Sequence, residues 1–183
     1  SSSEKSGTVN FSSLKILIIF FAITFASFFG DKRPSSSFFI KKGFRVEISK
    51  NALGAHHYFS GTEEQRLNDF QIGLDHTDAK VILCARGGYG CMHLLDKLDW
   101  ATFKKHPKHI VGFSDVTAFH LELAKWQIPS LHATMPLNFQ DNTAESLDSL
   151  LMALEGNPKL LSAKTHPNNQ LGEAEGAVIG GNL

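Results

Sequence analysis

This sequence has no excess of charge of one sign, few cysteines and no long hydrophobic run. Each of these features excludes a class of protein. The 183 residues contain 18 Lys and Arg against 18 Asp and Glu, so the formal net charge is zero. A chain with this balance has no basic excess to neutralise phosphates, and we expect no nucleic-acid partner. Two cysteines cannot form the disulfide framework of a small secreted protein, so Cys84 and Cys91 are interpreted as free thiols.

The longest apolar run covers only residues 16–29 and follows a polar, Ser-rich segment, residues 1–13. A helix needs about 20 apolar residues to cross a bilayer, so we expect no membrane span. The β-branched residues at the start of the run favour a buried strand. The apolar core of a signal peptide is the alternative, and it would make the protein secreted.

Beyond residue 38, the hydrophobic pattern alternates between the periods of strands and helices. The pattern predicts strands at residues 43–48, 80–84 and 109–113, and helices that begin near Thr62, Met92, Val116 and Ala144. Strands separated by helices predict an α/β fold, with a mostly parallel sheet covered by helices on both faces. In such sheets ligands bind at the carboxyl ends of the strands.

One loop at that edge is rich in glycine. Residues 86–90 read Arg-Gly-Gly-Tyr-Gly and follow a predicted strand directly. Glycine permits positive φ and lets backbone N–H groups face an anion or an oxyanion. The loop lacks the Lys-Ser/Thr pair of a phosphate-binding loop and the spacing of a dinucleotide fingerprint, so we expect no nucleotide. A tight strand-to-helix turn that needs glycine only for its geometry is the alternative.

A second loop, residues 112–117, places a serine between a strand and a helix. A nucleophile elbow has this arrangement, because a sharp turn projects the hydroxyl while the helix N-terminus offers N–H groups to developing negative charge. The motif is not Gly-x-Ser-x-Gly, since Val116 stands where the second glycine would be. Ser114 or Asp115 as a simple helix cap is the alternative, and the spacing leaves both interpretations open.

Four segments in order resemble one family: CARGGYG at 84–90, LDW at 98–100, IVGFSDVTAFHLEL at 110–123 and LHATMP at 131–136. The chain resembles the LD-carboxypeptidases, or muramoyltetrapeptide carboxypeptidases, and their microcin-immunity relatives. The resemblance implies a serine peptidase without a cofactor that removes a terminal D-amino acid from an L-centre in peptidoglycan stem peptides. It also implies a cytoplasmic enzyme and leaves a homodimer open.

The resemblance also assigns roles to single residues. It implies that Ser114 is the catalytic nucleophile and that backbone N–H groups of Asp115 and Gly88 form the oxyanion hole. Gly87 and Tyr89 become candidates for the substrate pocket. We expect no metal, because the paired histidines of the sequence lack a third ligand at a suitable spacing.

Three segments follow from these observations: an irregular leader of doubtful origin at 1–37, a nucleophile domain at 38–158, and a linker with the start of a second domain at 159–183. Only six residues separate Ser37 from Phe44, so a first helix of ordinary length is not expected between them. The family completes its triad with a Glu and a His in the second domain, which predicts that this chain is an inactive fragment. A non-catalytic remnant or binding module with the same fold is one alternative. Another α/β hydrolase, acting on an amide or an ester, is the other.

Overall fold

Strands and helices alternate from Leu17 to Leu154 in a computed structural model, which describes residues 17–21, 34–162, 164–170 and 172–181. The strands are β1 Leu17–Phe21, β2 Arg45–Ile48, β3 Ala79–Cys84, β4 His109–Gly112 and β5 Leu131–His132. The helices are α1 Pro34–Lys41, α2 Glu63–Asp75, α3 Cys91–Leu95, α4 Ala101–Lys105, α5 Thr117–Lys125 and α6 Ala144–Leu154. Two 3-10 turns, Ser114–Val116 and Pro136–Asp141, precede α5 and α6. The short elements α4 and β5 were not predicted from the sequence.

The five strands form one parallel sheet in the order β2-β1-β3-β4-β5. In β3, Leu83 pairs with Val111 of β4, and Cys84 pairs with Phe21 of β1. The sequence-based prediction of an α/β fold with a mostly parallel sheet is confirmed. The loops that follow β3 and β4 therefore lie side by side at the carboxyl edge of the sheet.

Helices cover both faces of the sheet. Successive residues of a strand point to opposite faces, so one strand contributes side chains to both. Val81 and Leu83 of β3 pack on one face, and Ile82 and Cys84 pack on the other. The first face carries α1 and α6, through a cluster that includes Phe39, Leu150, Leu151 and Leu154. The second carries α2 to α5, through a cluster that includes Phe70, Leu74, Leu94, Phe103, Phe119 and Leu123.

The strand at Leu17–Phe21 corrects the predicted leader. It pairs with β2 on one side and β3 on the other, so it lies inside the sheet. Part of the segment predicted as an irregular leader, residues 1–37, thus belongs to the α/β fold. A strand with neighbours on both sides and helices on both faces is expected to be a continuous apolar run, as this one is. The strand interpretation is confirmed for these five residues, and the remainder of residues 16–29 lies outside the described ones.

A short helix, α1, precedes Phe44, where the sequence has no room for a helix of ordinary length. Helix α1 has eight residues, begins at Pro34, upstream of the predicted boundary at residue 38, and is followed by Gly43 at φ +92° before Phe44. Proline is well suited to the first position of a helix, because the N–H that it lacks has no intrahelical acceptor there. The interval between Ser37 and Phe44 alone could not reveal this helix, because half of it lies before that interval.

The predicted capping box at the start of α2 is confirmed. The Thr62 hydroxyl accepts a hydrogen bond from the Gln65 N–H at 3.2 Å, and the Gln65 side-chain oxygen accepts one from the Thr62 N–H at 2.9 Å. Each bond satisfies an N–H group that has no partner within the helix. The start of α2 is therefore determined by residues only three positions apart.

The opposite end of α2 is held by a buried lysine from just before β4. Lys108 donates from Nζ to three carbonyl oxygens, those of Gly73 at 2.9 Å, Leu74 at 2.8 Å and His76 at 2.7 Å. A cation at a helix C-terminus also interacts favourably with the helix dipole. Burial lowers the pKa of Lys108 to about 8. This side chain ties α2 to the strand that carries the candidate nucleophile.

Among the described residues that follow Leu154, none belongs to a helix or a strand. This segment nevertheless returns to the start of α5, because Gly181 packs so closely on the Thr117 side chain that no Cβ would fit. The boundary between a first and a second domain near residue 158 stays a prediction. None of the helices in the described ranges has the length and apolar character required to cross a bilayer.

Candidate active site

Ser114 stands at a sharp turn between β4 and α5. Phe113 is extended, with φ −146° and ψ −174°, whereas Ser114 has φ +63° and opens a 3-10 turn that leads into α5. A non-glycine residue in the left-handed region costs roughly 1–2 kcal/mol, and such strain is concentrated at functional sites. A serine with this backbone at a strand-to-helix junction has the geometry of a nucleophile elbow.

The capping alternative for this serine gains no support from the start of α5. The residue that precedes α5 is Val116, and no side chain forms a capping hydrogen bond there. The Asp115 carboxylate instead accepts a hydrogen bond from the Cys91 N–H at 2.9 Å. Asp115 thus joins the elbow to the first turn of α3, across 24 positions of the chain.

Two glycines allow the elbow to pack tightly. A Cβ atom at Gly112 would lie 2.9 Å from Cγ2 of Val116, so the 3-10 turn folds directly onto the end of β4. A Cβ atom at Gly87 would lie 2.9 Å from Cβ and 3.3 Å from Oγ of Ser114. The glycine-rich loop therefore touches the serine, and the structure brings together the two loops that the sequence singled out.

The predicted oxyanion and pocket residues lie around this contact. Asp115 follows the serine directly, and Gly88, with φ +134°, follows the glycine that touches it. Gly87 is buried against Ser114, whereas the Tyr89 side chain is 63% exposed. The roles assigned to these residues stay predictions, and they are consistent with one site at the carboxyl edge of β3 and β4.

His120 is buried beside the elbow and has two hydrogen-bond partners. Its Nε2 donates to the Gly112 carbonyl at 2.9 Å, and its Nδ1 lies 2.8 Å from the Ser130 hydroxyl. Because a carbonyl only accepts, Nε2 carries a proton, and a neutral ring accepts at Nδ1 from the serine. Burial lowers the pKa of His120. With both ring nitrogens engaged, this histidine supports the end of β4 and is not placed to act as a base.

A buried arginine near the site was missed by sequence reasoning. Arg66 is 2% exposed, its Nε donates to the Gly61 carbonyl at 3.4 Å, and its guanidinium lies 4.2 Å from the centre of the Phe59 ring. Burial lowers the pKa of Arg66, while the negative charges of Glu63 and Asp115 oppose that shift. No sequence signal distinguishes it, because a charged residue in the first turn of a helix is usually solvated.

The cysteines lie on either side of the glycine-rich loop, Cys84 at the end of β3 and Cys91 at the start of α3. Both are free and buried. Burial raises the pKa of each thiol, so both stay protonated at neutral pH. Within the ranges that the structure describes, no three His, Cys, Asp or Glu side chains come together in a way that could hold a metal ion.

An open parallel sheet with a strained serine at its carboxyl edge is an arrangement typical of α/β serine hydrolases. The family description "LD-carboxypeptidase N-terminal domain" matches residues 31–133, which is more than half of the chain. The chain therefore belongs to the LD-carboxypeptidase family, whose members are peptidases.

Curated relatives and solved structures agree with this assignment. The murein tetrapeptide carboxypeptidase of Pseudomonas aeruginosa is 32% identical over 155 residues, covering 77% of this chain and 49% of the relative. A putative carboxypeptidase of Synechocystis is 36% identical over 141 residues, covering 77% of this chain and 46% of the relative. The chain thus spans about half the length of these relatives.

Two solved structures have the same fold. The muramoyltetrapeptide carboxypeptidase of Oxalobacter formigenes superposes with a TM-score of 0.66 at 25% identity, over 75% of this chain and 47% of that one. The microcin C7 self-immunity protein MccF, in complex with glutamyl sulfamoyl guanosine, superposes with a TM-score of 0.69 over 85% of this chain and 49% of that one. Its identity of 22% supports the fold alone.

Proposed function

We propose that this chain is the nucleophile-bearing part of a serine carboxypeptidase that releases a terminal D-amino acid from peptidoglycan-derived peptides. The observation that carries the proposal is the left-handed backbone of Ser114 at the strand-to-helix turn, packed against Gly87. The carboxypeptidase names of the relatives support the reaction class. Cleavage of an L-to-D bond is the finer part of the proposal.

The reaction is acyl transfer. The Ser114 oxygen attacks the scissile carbonyl carbon while its proton passes to a general base, and N–H groups of Asp115 and Gly88 stabilise the oxyanion. The carbon–nitrogen bond then breaks, and the base returns the proton to the leaving D-amino acid. Water attacks the resulting ester in the same way and frees the serine. Each preorganised oxyanion donor of this kind contributes roughly 2.7–4 kcal/mol to lowering the barrier.

The general base in this proposal comes from the Glu and His that the family carries in its second domain. His120 is not available for the task, because Gly112 and Ser130 occupy its ring nitrogens. The packing of Gly181 on Thr117 supports the proposal, since Thr117 is only three positions from Ser114. The end of the described chain therefore lies near the candidate nucleophile. Without a base a serine stays protonated and is a poor nucleophile, so residues 1–183 alone should be inactive.

The test is to express the complete reading frame that contains this chain and to measure release of the terminal D-amino acid from a murein tetrapeptide by chiral analysis. The unaltered protein should release it, and Ser114→Ala should abolish release without unfolding the protein. Ser162→Ala, an exposed serine of the C-terminal segment, is the matched control and should have no effect. A tetrapeptide with a terminal L-residue should be left intact.

Hydrolysis that survives in the Ser114→Ala variant would show that another residue is the nucleophile. Equal cleavage of both peptides would remove the L-to-D specificity while leaving a serine carboxypeptidase. The cytoplasmic location and the homodimer expected from the family resemblance stay predictions.

A further inference from the structure

Tyr89 is held by a histidine that the proposed mechanism does not use. The Tyr89 hydroxyl and Nε2 of His93 share a hydrogen bond of 3.1 Å. Their rings meet edge to face, with centroids 4.8 Å apart and planes at 88°. Tyr89 lies in the glycine-rich loop beside Ser114, and His93 lies in the first turn of α3. The contact therefore joins the loop to the helix that follows it.

The histidine rests in turn on an aromatic ring from another segment. The Phe59 ring centroid lies 6.4 Å from that of His93, and the buried Arg66 guanidinium covers Phe59 at 4.2 Å. Phe59 is itself fixed by two backbone hydrogen bonds with His56, of 2.9 and 3.0 Å. A column of side chains thus runs from buried Arg66 through Phe59 and His93 to Tyr89, whose side chain is 63% exposed.

Such a column has a clear consequence for an exposed side chain on a glycine-rich loop. Gly88 and Gly90, on either side of Tyr89, both have positive φ, and neither has a side chain that could pack against the tyrosine ring. Ordering a free side chain when a ligand binds costs about 0.5–1.5 kcal/mol. A tyrosine already fixed by His93 avoids that cost. Its exposed ring offers a flat surface for the planar amides and apolar groups of a peptide.

We propose that His93 is a positioning residue, which holds the Tyr89 ring as a preformed wall of the peptide-binding cleft beside Ser114. This inference rests on the proposed function and deepens it, because it names a determinant of substrate affinity outside the expected catalytic residues. Tyr89 contacts the bound peptide, and His93 acts only through Tyr89.

The test is a double-mutant cycle in the protein expressed from its complete reading frame. Tyr89→Phe removes only the hydroxyl, and His93→Ala removes the imidazole. Each change should raise KM for the murein tetrapeptide roughly 3–10-fold, which matches the cost of ordering one side chain. The value of kcat should stay within about twofold, because the reacting atoms are untouched. The double variant should be no worse than either single one, since both remove the same contact.

Two further variants separate positioning from a merely structural role. His93→Gln keeps a hydrogen-bonding group and should restore most of the affinity lost in His93→Ala. Met92→Ala is the matched control, because Met92 lies in the same helix and is 60% exposed. It should leave KM unchanged. The melting temperature of the variants should not fall in parallel with the rise in KM.

The outcomes distinguish this inference from the proposed function. Peptide release with an unchanged KM, or with effects of the two changes that simply multiply, would overturn the positioning role alone. Titration calorimetry of the same peptide against the variants in a Ser114→Ala background gives a second readout. If the protein with Ser114 intact releases no D-amino acid, but the effects of Tyr89→Phe and His93→Ala on peptide binding are coupled, the proposed function fails and the inference stands. If the peptide is neither cleaved nor bound, both fail.

Discussion

Replacing Gly87 by alanine tests the contact between the two loops of the site. The backbone at this position lies outside the left-handed region, so alanine brings no backbone penalty and the effect is steric alone. The added methyl carbon would lie 2.9 Å from Cβ of Ser114, and 3.3 Å from both Oγ of Ser114 and the carbonyl oxygen of Phe113. The Ser114 Oγ atom can rotate away, but Cβ of Ser114 and the Phe113 carbonyl oxygen are held by the backbone and can yield only if the loop moves.

The magnitude follows from those distances. Carbon atoms normally approach to about 3.5–4.0 Å, so the loops must separate by roughly 0.5–1 Å. Overpacking of this kind costs about 1–3 kcal/mol in the free energy of unfolding. A displacement near 1 Å at a catalytic group can cost about a hundredfold in rate. We therefore expect Gly87→Ala to lower kcat/KM about 10–100-fold, or roughly 1.4–2.7 kcal/mol of transition-state stabilisation.

Urea unfolding gives the stability, and release of the terminal D-amino acid by the protein from its complete reading frame gives kcat/KM. Gly176→Ala is the matched control, because a Cβ there has no atom within 4 Å, and it should change neither quantity. An alanine at position 87 that left both the unfolding midpoint and kcat/KM unaltered would refute the tight contact between the loops. A loss of stability with full activity would show that the contact serves the fold only.

Two further predictions concern buried side chains that support the site. Lys108→Met removes the donor shared by three carbonyl oxygens at the end of α2. It should lower the free energy of unfolding, measured in urea, by about 2–3 kcal/mol. Lys105 is an exposed neighbour, and Lys105→Met should lower the free energy of unfolding by less than about 0.5 kcal/mol. Burial lowers the pKa of His120 below its unfolded value of about 6.5. As the pH falls through that value the unfolded chain binds the proton first, so the free energy of unfolding decreases. His120→Gln should therefore lose less stability than the unaltered chain between pH 7 and 5, and an equal loss in both would contradict this account.

Local patterns in the sequence determined most of the elements around the site. The capping box that starts α2 depends on Thr62 and Gln65 alone, and it forms as predicted. Strands β3 and β4 were found from short apolar segments, and Ser114 was placed correctly between a strand and a helix. These features depend on residues a few positions apart, so a hydrophobic period and a few capping or turn residues are sufficient to predict them.

Only the tertiary structure decided which distant segments meet. Residues 17–21 form a strand inside the sheet because β2 and β3 pair with its two edges, and an apolar run carries no record of its partners. The contact of Gly87 with Ser114 joins positions 27 apart, and it exists because β3 and β4 are neighbours in the sheet. Arg66 and Lys108 look like solvated charges in the sequence, yet the packing of α2 buries both. The sequence by itself determined the candidate nucleophile and its turn, whereas the order of the strands decided what surrounds it.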